Sequence, residues 1–164
     1  MIKMDALKRE YTTLGFQNVI SILASGNVIF DSDTAEPNLL AENITKKLRS
    51  HFKREVMIQV LPMKVIRNLI ELSPFKDVPL TKDSRLYVSF IANSAQKTKL
   101  AKNGSNLGWR SFRTSAGIVC TEIYDITTAD TLEVMASIEK QFAKMVTTRN
   151  WNTILKIVKA AKIA

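Results

Sequence analysis

Thr147-Thr148-Arg149-Asn150-Trp151-Asn152-Thr153-Ile154-Leu155 brings cap, charge, amide and aromatic chemistry together at the start of one element. A threonine hydroxyl at 147 or 148 can accept from the backbone N–H groups that a first helical turn leaves unpaired, so the spacing predicts a helix that begins near Arg149. Beyond it, Trp151, Ile154, Leu155, Val158 and Ala161 recur three and four residues apart as one apolar stripe, and Lys156, Lys159 and Lys162 fall elsewhere on the surface. Trp151 is expected to anchor this helix in the core. Arg149, Asn150 and Asn152 would then crowd its N-terminal end, where free N–H groups and the helix dipole favour an anion. A second reading has the same three side chains bonding carbonyls of a neighbouring strand or loop, so that they fix the docking of a terminal helix.

A chain of 164 residues fits one large domain or two small fused ones, and it is long enough to bury its own core. Hydrophobic residues make up 46%, with 5 Gly and 4 Pro, which excludes a disordered or fibrous class. Cys120 is the single cysteine, so there is no internal disulfide, and His51 is the single histidine, so a histidine-rich metal site cannot form within one chain. Neither a metal nor a cofactor is expected. The opening Met1-Ile2-Lys3-Met4-Asp5 lacks the apolar run of a signal peptide, and no stretch approaches the ~18 apolar residues of a membrane span, which points to a cytoplasmic protein.

Charge is unevenly placed. The net charge is +9, and two stretches, Ser84–Thr121 and Lys140–Ala164, hold twelve of the 24 basic residues and no acid. The remainder carries twelve basic and 15 acidic residues. This asymmetry favours a polyanionic partner, nucleic acid above all, and solvated lysine-rich faces are the plainer alternative.

Earlier in the chain, Met4, Leu7, Tyr11 and Leu14 keep a helical period that Gly15 ends in a left-handed cap. Val19 to Ala24 reads as a mostly buried strand, interrupted by Ser25-Gly26-Asn27 and resumed by Val28, Ile29 and Phe30. Gly26 marks a bulge, a tight turn or a close approach of another backbone. Pro37 opens a second helix with Leu40, Ile44, Leu48 and Phe52 as its stripe and His51 beside it. Val56, Ile58 and Val60 alternate with Glu55, Met57 and Gln59, the pattern of a half-buried strand over Glu55 to Leu61, and a third helix runs between Pro62 and Pro74.

Residues 75–83 read as a linker between a first half, 1–74, and a second half, 84–164. The second half opens with a strand over Leu86 to Ile91, followed by a short lysine-rich helix over Ser94 to Lys102 and a loop at Asn103-Gly104-Ser105-Asn106. Two strands, about 109–114 and 118–124, form a hairpin around Ser115-Ala116-Gly117. Asp130 with Glu133 resembles an N-cap and its reciprocal partner, opening a helix with Met135, Ile138, Phe142 and Met145 inward. With one strand added before helix one, each half approaches a βαββαβ pattern, so the expected class is α+β: tandem ferredoxin-like plaits with a C-terminal helix.

Three pieces carry a family resemblance: Met4-Asp5-Ala6-Leu7, Ser25-Gly26-Asn27-Val28-Ile29-Phe30 and Thr148-Arg149-Asn150-Trp151-Asn152-Thr153. The chain resembles a bacterial conserved-hypothetical family whose members run from an Arg-Gly-Ile-Asn-Val-Gly-Gly strand end, through a Ser-Gly-Asn strand, to an Arg-Asn-Trp-Asn-Thr helix. The resemblance implies an α+β fold with a ferredoxin-like duplication and no established activity. Two departures stand out. The family's opening strand is missing, because this chain starts just before helix one; the unpaired neighbour position on the first sheet invites a homodimer. The family's Gly-x-Gly-Arg-Ser-Lys-like turn is replaced by Asp125-Ile126-Thr127-Thr128, which weakens the case for a phosphate site there.

Three functions follow. A non-catalytic module for a polyanion or nucleic acid would use Trp109, Arg110, Arg113, Lys97, Lys99 and Lys102, with aromatics stacking bases and cations holding phosphates. Strand alternation puts Trp109, Ser111 and Arg113 on one face and Arg110 and Phe112 on the other. An enzyme or sensor for a small phosphate- or carboxylate-bearing ligand would use Arg149, Asn150 and Asn152 with Ser25 and Asn27. A scaffold without ligand would use the same motifs only to lock the terminal helix. No residue presents itself as an activated nucleophile, so no catalytic set is assigned.

Overall fold

The computed structural model describes residues 2–23, 25–101 and 107–163. They divide into two units, Met1–Asn68 with Leu155–Ala164 and Leu69–Ile154. Helices α3 (Met63–Leu72) and α5 (Trp151–Ile163) each run through one of those divisions.

Unit 1 is built on α1 (Met4–Thr13), a hairpin of β1 (Gln17–Ile22) and β2 (Asn27–Asp31), and α2 (Pro37–Phe52). The helical periods meet as the spacing demands: Leu7 and Tyr11 from α1 bury against Ile44 and Leu48 from α2, and Val19, Val28 and Phe30 of the hairpin close the cluster. Phe16 and Phe30 stack at 4.3 Å, and Tyr11 meets Phe30 edge-on at 5.4 Å. Burying side chains of this size is worth roughly 2 kcal/mol each. Gly26 has φ +77 with open space where a Cβ would stand, so it serves the hairpin turn and no backbone crowds it.

The segment from Glu55 to Leu61 joins no ladder among the described residues, which corrects the strand expected there. Ile58 and Val60 pack on the Leu7, Tyr11, Ile44 and Leu48 cluster. The alternation therefore records a surface to lie on; a ladder needs in addition a neighbour's free N–H and C=O row.

Unit 2 is a four-stranded antiparallel sheet in the order β4 (Trp109–Ser115), β5 (Ile118–Ile123), β3 (Arg85–Ile91), β6 (Val146–Asn150), with α4 (Thr131–Gln141) packed on it. Ile91, Val119, Val146, Ile138 and Phe142 share one buried cluster, and Ile123, Ala129 and Val134 a second, with Trp109 packed on both. Asp130 caps α4 by accepting from the Glu133 N–H at 3.0 Å, as the spacing predicts. The lysine-rich helix expected from Ser94 is only a 3₁₀ turn at Asn93–Ala95, and residues 102–106 of that stretch lie outside the described residues. Ala95 and Leu100 are its packed apolar side chains, too few to hold a helix on the core.

The chain is thus α+β, with two antiparallel sheets and five α-helices among the described residues. No described helix is long and apolar enough to cross a membrane.

Candidate anion-binding surfaces

The turn from β6 into α5 decides what the Thr-Arg-Asn-Trp-Asn motif does. Thr147, Thr148 and Arg149 are strand residues, paired with Phe90, Ser89 and Val88 of β3, and α5 starts at Trp151. The helix start expected near Arg149 moves by two residues and its cap from threonine to Asn150. Ladder pairing is the reason: the Thr148 hydroxyl lies 2.8 Å from that of Ser89 across the sheet, so it is spent there. Asn150 Oδ1 instead accepts the Thr153 N–H and the Thr153 hydroxyl, both at 2.8 Å. Arg149 is half-buried, donates to the Thr148 carbonyl at 2.8 Å, and has its guanidinium pKa lowered by burial. Asn152 is exposed. Trp151 meets Phe75 edge-on at 5.2 Å, and Phe75 meets Phe112 at 6.2 Å.

In unit 1 the Ser-Gly-Asn motif closes the β1–β2 turn. Asn27 Nδ2 donates to Ser25 Oγ at 2.8 Å and to the Ile22 carbonyl at 3.2 Å. Both side chains thus hold the turn by bonds within it.

The arginines read as a nucleic-acid platform serve the sheet of unit 2. Arg110 sits opposite Glu122 in the β4–β5 register and its Nε donates to that carboxylate. Glu122 is 5% exposed and Arg110 61%, so the arginine covers a desolvated acid from its solvent side. Arg113 donates to the Ala116 carbonyl and, at 2.7 Å, to the Thr98 carbonyl, and lies 5.6 Å from the Phe142 ring centre. Trp109 is half-buried between two core clusters, so its face is packed. Lys97 and Lys99 are exposed, and neither has a carboxylate within ion-pair distance among the described residues. Lys102 lies outside the described residues.

The Asp125-Ile126-Thr127-Thr128 turn is closed by its own acid. The Asp125 carboxylate accepts from the Thr127 N–H at 2.9 Å and from the hydroxyls of Thr127 and Thr128 at 2.5 and 2.6 Å. These bonds hold its pKa down to about 2, so the turn keeps a fixed negative charge.

One cationic cluster escaped the charge reading. Lys46, Lys47, Arg49, Lys53 and Arg54 lie within nine residues with His51 and no acid. They were hidden because the charge was summed over long stretches, and this one belongs to the remainder that nets out negative. A nine-residue window would have found it. Lys46, Arg49, Ser50, Lys53, Arg54 and Glu55 line a shallow depression of about 500 Å³ at the C-terminal end of α2.

The match to known proteins is sharp on family and silent on activity. Residues 1–108 match the model of a family described as a protein of unknown function, DUF1697. The chain belongs to this family. The DUF1697 chain is also similar in structure to a conserved bacterial protein from Streptococcus pneumoniae: TM-score 0.68, 20% identity, covering 99% of this chain and 90% of that one. At that identity the likeness speaks for the fold alone. No curated protein matches the chain.

Cys120 and His51 of this DUF1697 chain are each engaged within the fold. Cys120 is fully buried and burial pushes its thiol up to about 12, so no thiolate forms near neutral pH. His51 Nδ1 lies 3.3 Å from Glu10, which also lies 3.4 Å from Lys47. Among the described residues no group of three or more His, Cys, Asp or Glu is placed to hold a metal ion.

Proposed function

We propose that the chain is a non-catalytic binding module for a polyanion, with nucleic acid as the leading ligand. The observation that carries this reading is the pair of exposed lysines on an anchored segment of unit 2. Arg113 holds the Thr98 carbonyl at 2.7 Å, and Gln141 accepts the Ala101 N–H at 2.9 Å, so Lys97 and Lys99 project from a loop pinned on both sides. Between Ser84 and Thr121 no acid offsets them. Lys97, Lys99 and Lys102 are the phosphate-binding cations in this reading, and Arg113 holds the segment that carries Lys97 and Lys99. Binding of this kind is electrostatic and falls steeply with salt. Retention on single-stranded DNA or RNA at low salt, weakened in a Lys97→Ala/Lys99→Ala variant, is the expected result. Absence of retention on either at low salt would sink the reading.

One observation favours a small anionic ligand as a second reading. Arg149 is a half-buried cation beside the N-terminal end of α5, the end at which the helix dipole disfavours positive charge. In this reading Arg149, Asn150 and Asn152 hold the anion. Thermal-shift screening against nucleotides and sugar phosphates tests it: a ligand at about 100 times its Kd adds roughly 2.7 kcal/mol. An Arg149→Ala variant that still responds like wild type removes the clamp.

A further inference from the structure

Helix α2 sorts its side chains onto three faces. Leu40, Ile44 and Leu48 are buried in the core of unit 1. Lys47 and His51, four residues apart, turn toward Glu10 of α1 at 3.4 and 3.3 Å. Lys46, Arg49, Ser50 and Lys53 follow the spacing i, i+3, i+4, i+7, and so line one stripe, which Arg54 and Glu55 extend around the depression. All six lining residues are exposed.

The cations there are differently engaged. Arg49 Nη2 is fixed by Glu55 at 2.6 Å. Lys46, Lys53 and Arg54 have no carboxylate within ion-pair distance among the described residues. Lys53 ends α2 in the left-handed conformation, φ 52 and ψ 39, where glycine is the least strained residue and this chain carries a cation. Its charge suits the C-terminal end of the dipole, so the helix presents rather than repels it.

We infer that this corner of unit 1 is a second site for the phosphodiester backbone of single-stranded nucleic acid, contacted by Lys46, Arg49, Lys53 and Arg54. The inference rests on the polyanion reading and adds a site that reading does not contain. A shallow, open depression encloses too little of a small molecule to bind it well. A row of cations along a helix stripe matches repeated phosphates instead. None of the six lining residues offers the apolar wedge that a membrane surface would need.

The test is anisotropy titration of a labelled oligothymidylate across a salt series. It compares wild type with Lys46→Ala/Arg54→Ala, Lys53→Gly and Lys97→Ala/Lys99→Ala. The inference expects Lys46→Ala/Arg54→Ala to weaken binding several-fold and to flatten the slope of log K against log salt by about 0.7 for each lost contact. Lys53→Gly should weaken binding with Tm unchanged or raised, which separates lost contact from lost fold. If Lys46→Ala/Arg54→Ala keeps the wild-type slope while Lys97→Ala/Lys99→Ala flattens it, the second site is refuted and the polyanion reading stands. No wild-type binding at low salt overturns both. Capture by phosphatidylserine vesicles with no response to the oligonucleotide overturns this inference in favour of a lipid surface.

Discussion

Asn150 Oδ1 holds Thr153 twice, by its backbone N–H and by its hydroxyl, each at 2.8 Å. The amide is therefore the structural cap of α5. Asn150→Ala should cost about 1 kcal/mol in urea unfolding, and Asn150→Asp, which keeps the acceptor, should cost much less. An alanine variant as stable as wild type would free Asn150 for a ligand.

Arg110 and Glu122 form a lopsided pair, one exposed and one desolvated. Arg110→Ala should cost about 1–3 kcal/mol, because it strands a buried carboxylate without its partner. Glu122→Gln in the same chain should recover part of that loss. A double-mutant cycle showing no coupling between them would return Arg110 to the ligand-binding candidates.

The Asp125 carboxylate sets an acid-side dependence. Its folded pKa, about 2, lies below the ordinary value of 3.8. A depressed pKa means stability that is fully present above about 3.8 and fades as pH falls through about 2. The Tm difference between wild type and Asp125→Ala should thus be constant near neutral pH and shrink between about pH 4 and pH 2. A difference that grows on acidification would contradict the assignment.

Burial makes Cys120 inert. With the thiol pushed up to about 12, native protein should resist iodoacetamide at pH 8, and denatured protein should react at the rate of a free thiol. Rapid labelling of the folded chain, followed by mass spectrometry, would show that the β5 strand opens.

Local chemistry was readable where the partner is a near neighbour in sequence. Asp130 and its Glu133 N–H are three residues apart, and Leu40, Ile44 and Leu48 repeat every four, so cap and stripe followed from spacing. Thr147 and Thr148 misled for the opposite reason. Their hydroxyls suit a cap, but β3 pairs with the same residues, and the Thr148 hydroxyl bonds that of Ser89 across the ladder. The stretch from Glu55 to Leu61 failed similarly: its alternation needed only a packing surface, and the strand needed an edge that sequence does not reveal.

From the sequence alone came the α+β class, the apolar faces of α1 and α2 and the positive charge, all of which are set by residue type and short-range period. On α4, Ile138 and Phe142 are buried as expected, while Met145, expected inward, lies beyond the helix end and is exposed. Only the tertiary structure decided which cations are tied within the fold and which are not. Arg110 and Arg113 are tied to the sheet, and Lys47 turns to Glu10, while Lys46, Lys53 and Arg54 face open solvent. The physical reason is separation along the chain. Ser89 and Thr148 bond across 59 residues, and pairing over such distances is fixed by the packing of whole elements, which no local window contains.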